Sequence, residues 1–282
     1  MIRATRLLLA AAAAALLVSC GGSSDDDPSV NSMAATPTAY GRTAIWTVSG
    51  LNLDRGISLR ITAGQCSGLA EVGEGSATQR QYSCRVASLG ELVAQVDDAS
   101  GGRLATLRVI VPPPVVRLTL AQGTIEVELD PVAAPVTVNN FLNYVNGNFY
   151  NNTIFHRVVA GFVIQGGGYA PGNPDPVFKT PTQPPIALES NNSLSNLRGT
   201  IAMARGSDPD SANSQYYINV VDNLALDYKS PQEPGYAVFG RVTAGMDVVD
   251  AISIVPTRAI PSLGLFDVPV TNVVVTTARQ VR

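Results

Sequence analysis

"FYNNTIFHRVVAGFVIQGGG", Phe149 to Gly168, holds the only histidine of the chain, an arginine directly after it, and a closing run of three glycines. A histidine beside a cation suggests acid–base chemistry, and a glycine run suggests a phosphate cradle. Neither reading fits its surroundings. A phosphate loop needs a following Lys-Ser/Thr and a helix behind it, and both are missing. Gly166, Gly167 and Gly168 therefore read as glycines that let a strand end turn. No Asp or Ser stands in a suggestive pattern near His156, which reads as a wall residue or a hydrogen-bonded structural one.

Working outward, "VVRLTLAQGTIEVELD" shows two alternating runs about a tight turn at Gln122-Gly123, a hairpin. In "APVTVNNFLNYVNGNFY" the residues Val138, Phe141, Leu142 and Val145 fall at i, i+3, i+4 and i+7. Pro135 sits where a first-turn proline belongs and Gly147 ends the run, so this is an amphipathic helix. "GMDVVDAISIV" predicts a second, shorter helix. The rest reads as strands and long loops, which predicts an all-β class with a barrel capped at its ends. Asp208, Asp210 and Asp222 lack the spacing and closing glutamate of a calcium loop and read as solvated. No metal site is expected.

Four stretches, "FYNNTIFHRVVAGFVIQGGG", "LRGTIAMARGSDPDSANSQYYINV", "LALD" and "GYAVFGRVTAGMDVVDAIS", resemble in order and spacing the cyclophilin peptidyl-prolyl isomerases. The resemblance covers residues 115–282 and is strongest to the periplasmic bacterial members, which share "FYNNT" and "GYAVFG". It implies a closed eight-stranded antiparallel barrel with a helix over each end. The implied reaction is rotation about an X–Pro bond, against a resonance barrier of about 18–20 kcal/mol. No bond breaks, so no nucleophile, metal or cofactor is needed, only a site that fits the twisted amide better than either planar form. The resemblance implies that Arg157 donates toward the prolyl nitrogen, whose lone pair is freed when conjugation breaks. It also implies that Phe162, Val163, Tyr217 and Leu226 line a proline pocket, with Gln165 holding Arg157 or the substrate carbonyl and Gln215 beside it. His156 would stand in the pocket wall. Met203 and Ala204 would face the rim, Tyr236 would sit near the rotating carbonyl, and Arg205 would act through its main chain with little demand on its side chain.

The chain departs from the family pattern in places. Val163 stands where methionine is usual, Tyr217 where phenylalanine is usual, Ala160 where proline is usual, and Ala225 where a large aromatic often closes the pocket. Losing several methylenes of contact weakens grip by roughly 1–3 kcal/mol. An isomerase of exported proteins is the first reading. A catalytically weak chaperone or proline-segment binding module is the alternative that Val163 and Ala225 leave open.

The first part of the chain has another character. Between residues 39 and 111, "TAIWTVSG", "ISLRITA", "RQYSCRVAS", "ELVAQVDD" and "RLATLRVIV" alternate between turn signals, predicting a small immunoglobulin-like β-sandwich with Trp46 in its core. It shows no chemistry of its own and is a place for a protein partner. Pro112, Pro113 and Pro114 form a stiff linker before the barrel.

At the N-terminus, Arg3 and Arg6 precede an apolar run from Leu7 to Val18 that is too short to span a bilayer, an export signal over residues 1–19. Leu17-Val18-Ser19-Cys20 resembles the lipobox of bacterial lipoproteins, which implies lipidation of Cys20 and membrane anchoring. Residues 20–38 are small, polar and locally acidic and read as a flexible tether. Gly21 after the cysteine implies the outer rather than the inner membrane, facing the periplasm. Of the remaining thiols, Cys66 and Cys84 in an exported chain are expected to form a disulfide; a zinc site would need two more ligands, and the sole histidine lies elsewhere. A net charge of −3, with no stretch concentrating Lys and Arg, excludes a nucleic-acid partner. Proline-containing polypeptides are the expected clients.

Overall fold

The computed structural model describes residues 26–282 and, before them, only the backbone of Ala15–Leu16, which pairs with Ser32 and Met33. Apart from those two residues, the expected signal, Cys20 and the first part of the expected tether lie outside the described residues. The chain divides into two compact units, one ending at Pro112 and the other beginning at Pro113.

The first unit is built from β1 (Ser29–Thr36), β2 (Thr43–Leu51), β3 (Ser58–Ala63), β4 (Cys66–Glu71), β5 (Gln79–Val86), β6 (Gly90–Asp97) and β7 (Arg103–Val111). One antiparallel sheet runs β1-β2-β5-β4 and the other β3-β6-β7. Strand β2 shows why: Ala44, Trp46 and Val48 alternate inward and are fully buried, with Ile45 and Thr47 between them on the half-exposed face. The Trp46 indole N–H donates to Sγ of Cys84 at 3.2 Å, and Cys84 is bonded to Cys66.

All five segments read as strands form strands, and two more appear. Strand β1 corrects the tether expected over 20–38, since residues 29–36 pair with β2 and bury Val30, Met33 and Ala35. The register shifts between Val30 and Ser32, so the apolar residues fall out of strict alternation and a period-2 reading misses them. Strand β4 is exposed or half-exposed throughout and presents no apolar face to read.

The second unit is a closed barrel of β8 (Val115–Leu120), β9 (Gly123–Leu129), β10 (Thr153–Val159), β11 (Val163–Gly166), β12 (Thr200–Met203), β13 (Tyr216–Asn219), β14 (Val238–Ala244) and β15 (Val274–Gln280). They are hydrogen-bonded in the cyclic order β9-β14-β12-β13-β11-β10-β15-β8. Helix α1 (Pro135–Asn146) begins with proline in its first turn and buries Val138, Phe141, Leu142 and Val145, the residues of the 3.6 period. Its first free N–H groups find a remote partner: Val136 and Thr137 donate to the Glu189 carboxylate at 3.0 and 2.8 Å. Phe141 then meets Tyr150, Tyr216 and Phe239 at ring separations of 5.2–5.5 Å, the aromatic centre of the core. Helix α2 (Met246–Ser253) buries Val248, Val249 and Ile252.

Candidate active site

Strand register places the site. Arg157 pairs with Gln165, Gln165 with Tyr217, Tyr217 with Ala202, and Ala202 with Val238. Directly paired residues share a sheet face, so these five form one row across five strands. The neighbouring row, Gly166, Tyr216 and Met203, faces the other way, into the aromatic core.

Phe155 and Arg157 are two residues apart and in a regular strand would share a face. They do not, because the pairing slips at His156: Phe155 pairs with Gly166 of the core row and Arg157 with Gln165 of the outer row. The extra residue is a bulge that turns the strand over. His156 is thereby buried against Tyr169, ring centroids 4.7 Å apart. Burial pushes its pKa down to about 4, against the opposing effect of a hydrogen bond with Gln215.

A cavity of about 120 Å³ opens over the outer row, lined by Arg157, Phe162, Val163, Gln165, Ala204, Arg205, Tyr217, Leu226 and Tyr236. At about 30 Å³ per water in the liquid, it has room for a few waters or one small ring. The Arg157 guanidinium stands 5.8 Å from the Phe162 ring centroid and makes no side-chain hydrogen bond or ion pair among the described residues. Gln165 Nε2 donates to Gln215 Oε1 at 3.0 Å, and Arg157 does not donate to Gln165. The cavity thus presents one uncommitted cation, an oriented amide and an apolar wall.

Behind the wall lies a buried polar network. The Tyr217 hydroxyl donates to Asn196 Oδ1 at 2.7 Å, where Asn219 Nδ2 also donates at 3.2 Å. Asn196 in turn donates to Asp227 through its backbone N–H and its Nδ2, at 2.6 and 2.9 Å. Burial pushes the Tyr217 phenol well above its ordinary pKa, so it stays a donor. Asn223 Nδ2 holds the Phe162 carbonyl at 2.9 Å, fixing the loop that carries that ring.

Three of the residues expected at the pocket lie elsewhere. Met203 shares the core face with Tyr216, and its neighbour Ala202 takes the pocket face. Gln215 stands beside Gln165, as the resemblance implies, without itself joining the lining. His156 is buried at the bulge, and Ala225 is exposed and outside the lining. Ala202, Val238 and Leu194, which pack under the wall, were missed. The alternation Ala202, Ala204 in "TIAMA" was a readable signal for the first, whereas Asn196 in its loop carried none. The glycines behave as spacers: a Cβ on Gly168 would come within 2.6 Å of the Gln215 side chain, so the glycine makes room for that amide. Asp208 and Asp210 serve backbone N–H groups, and no cluster of metal ligands occurs among the described residues.

The family model described as cyclophilin type peptidyl-prolyl cis-trans isomerase matches residues 115–280. The chain belongs to this family. Among curated proteins, this cyclophilin is 52% identical over 143 residues to peptidyl-prolyl cis-trans isomerase A of Dickeya dadantii, covering 51% of this chain and 73% of that one. It is 52% identical over 137 residues to peptidyl-prolyl cis-trans isomerase B of Escherichia coli, covering 48% and 81%. With peptidyl-prolyl cis-trans isomerase cyp18 of Streptomyces antibioticus the identity is 49% over 166 residues, covering 58% and 96%. All of these matches are shorter than the chain, and the cyclophilin family match falls within the second unit.

Proposed function

We propose that this cyclophilin isomerises X–Pro bonds of exported polypeptides, with Arg157 as the catalytic residue. The observation that carries the reading is an uncommitted guanidinium in the lining of a small cavity that has both an apolar and a polar side, beside Phe162 and Gln165. A planar X–Pro amide offers no lone pair at nitrogen, while the twisted amide does. A permanently charged donor aimed at that atom therefore binds the transition state more strongly than either ground state. Phe162, Val163, Leu226 and the Tyr217 ring hold the prolyl ring. Gln165, oriented by Gln215, offers a polar contact to the peptide. No proton moves, which fits a histidine held neutral by burial behind the site.

The envelope setting rests on the sequence: an export signal over residues 1–19, a lipidated Cys20 and an outer-membrane destination. Labelling with a lipid precursor tests the anchor, with label lost in Cys20→Ala as the supporting result and label retained as the contrary one. The activity is tested by cis–trans relaxation of a short Xaa-Pro peptide, where acceleration by the wild type and its collapse in Arg157→Ala are expected. Peptide binding without acceleration would favour the chaperone-like alternative.

A further inference from the structure

Tyr236 is fixed from several sides. Its N–H donates to the Leu226 carbonyl at 3.0 Å. The preceding Gly235 has a φ of 60°, and a Cβ there would come within 2.5 Å of the Asp227 backbone. The Tyr236 ring stands edge-on to Tyr217, with centroids 5.9 Å apart and planes at 80°. Its face carries the Arg205 guanidinium, with Cζ 4.7 Å from the ring centroid. That guanidinium is itself tied down, Nε donating to Gly235 O at 3.0 Å and Nη1 to Gly206 O at 2.9 Å. Arg205 thus joins the segment after β12 to the segment before β14, with an aromatic ring held between them. The far ring of the pair, Tyr217, is anchored at its hydroxyl by Asn196.

Ala225 is exposed and contributes no lining. The wall next to it is made by Leu226 and the Tyr217–Tyr236 pair. We propose that Arg205 is a positioning residue for this wall: its side chain holds Tyr236 against Tyr217 and so sets how tightly the pocket grips the prolyl ring. The proposal rests on reading the cavity as the proline pocket. A wall that touches planar and twisted forms alike contributes uniform binding, so its loss appears in KM and not in kcat. A planar fork bonding two carbonyls while lying on a ring is a geometry an ammonium cannot reproduce.

The test is a double-mutant cycle in the full chain, reading kcat and KM for a short Xaa-Pro peptide and the Kd of the same peptide by calorimetry. Arg205→Ala is expected to raise KM and Kd by about tenfold, the scale of a partly desolvated cation–π contact, with kcat nearly unchanged. Arg205→Lys should recover only part of this, and Tyr236→Ala should match Arg205→Ala. The double variant should be no worse than Tyr236→Ala alone. Independent effects in the double variant, full rescue by lysine, or a fall in kcat at constant KM would overturn the proposal. If the wild type binds the peptide without isomerising it, the isomerase reading fails while the Kd cycle still decides the role of Arg205. If it does neither, the Tyr236 ring resonances decide: they should shift in Arg205→Ala, and unmoved resonances would refute the positioning role.

Discussion

Acidification should destabilise the barrel through one residue. His156 is 3% exposed, and burial holds its pKa at about 4 against an ordinary 6.5, with hydrogen bonds to Gln215 and the Ile154 carbonyl opposing and the Arg157 charge reinforcing. In the unfolded chain the imidazole takes its proton near pH 6.5; in the folded barrel it does so only near pH 4. Between those values the unfolded state binds more protons, so stability is full above about pH 6.5 and falls as pH drops. At about 1.36 kcal/mol per pH unit the contribution lost is roughly 3 kcal/mol in all, about 2.5 of it by pH 4.5. Carboxylates also titrate in this range, so the comparison is with His156→Gln, which keeps a polar group and loses the ionisation. Urea unfolding at pH 7.5 and 4.5, followed by tyrosine absorbance, should show wild type losing roughly 2.5 kcal/mol more than the variant. Trp46, in the other unit, reports that unit separately. Equal losses in both proteins would mean that His156 stays uncoupled from folding. So would a midpoint near 6.5 in the proton resonance of this histidine, the only one in the chain.

Other outcomes follow from the same geometry. Asn196→Ala strands the buried Tyr217 hydroxyl and leaves Asp227 with only the backbone N–H of residue 196 and the Asn219 amide with only Thr200 Oγ1, and should cost roughly 2–3 kcal/mol, whereas Tyr217→Phe leaves Asn196 still paired and should cost about 1; denaturant melts that reverse this order would contradict the network. Reducing the Cys66–Cys84 bond should raise Trp46 fluorescence, since a disulfide sulfur beside an excited indole quenches it by accepting an electron. The same reduction should destabilise the first unit by roughly 3 kcal/mol on the loop-entropy scale; unchanged emission would place the indole elsewhere. Val163→Met should lower KM about fourfold, from roughly 0.8 kcal/mol of added apolar contact; a raised KM would mean that the pocket is already filled to its limit.

Much of the barrel was legible because its signals are local. The 3.6 period ending at Gly147 gave α1, and the alternation on either side of Gly123 gave the opening hairpin, whose second strand begins at that glycine. What failed was parity. A period-2 reading puts Phe155 and Arg157 on one face, and only the slip at His156 separates core from site. Met203 came to the rim by the family resemblance, beside Ala204, although adjacent residues of a strand face opposite sides and it is Ala202 that shares the row of Tyr217. In β1, a slip after Val30 hid a strand among small residues. Arg205 illustrates a different limit: its side chain was expected to matter little, yet its contacts are with Tyr236, Gly235 and Gly206. Two of these lie about thirty residues away, beyond the reach of any local pattern. The network around Asn196 joins a loop to β13 and Asp227 and has no signature in spacing for the same reason.

Arg157 carries the proposed isomerisation. In a relaxation assay on a short Xaa-Pro peptide, wild type should accelerate interconversion, and Arg157→Ala should lower kcat/KM by roughly 10²–10³-fold, the scale of losing a transition-state donor. Peptide affinity should change little, because the apolar wall is untouched. Equal acceleration by Arg157→Ala, or none by the wild type, would contradict a catalytic role for this arginine.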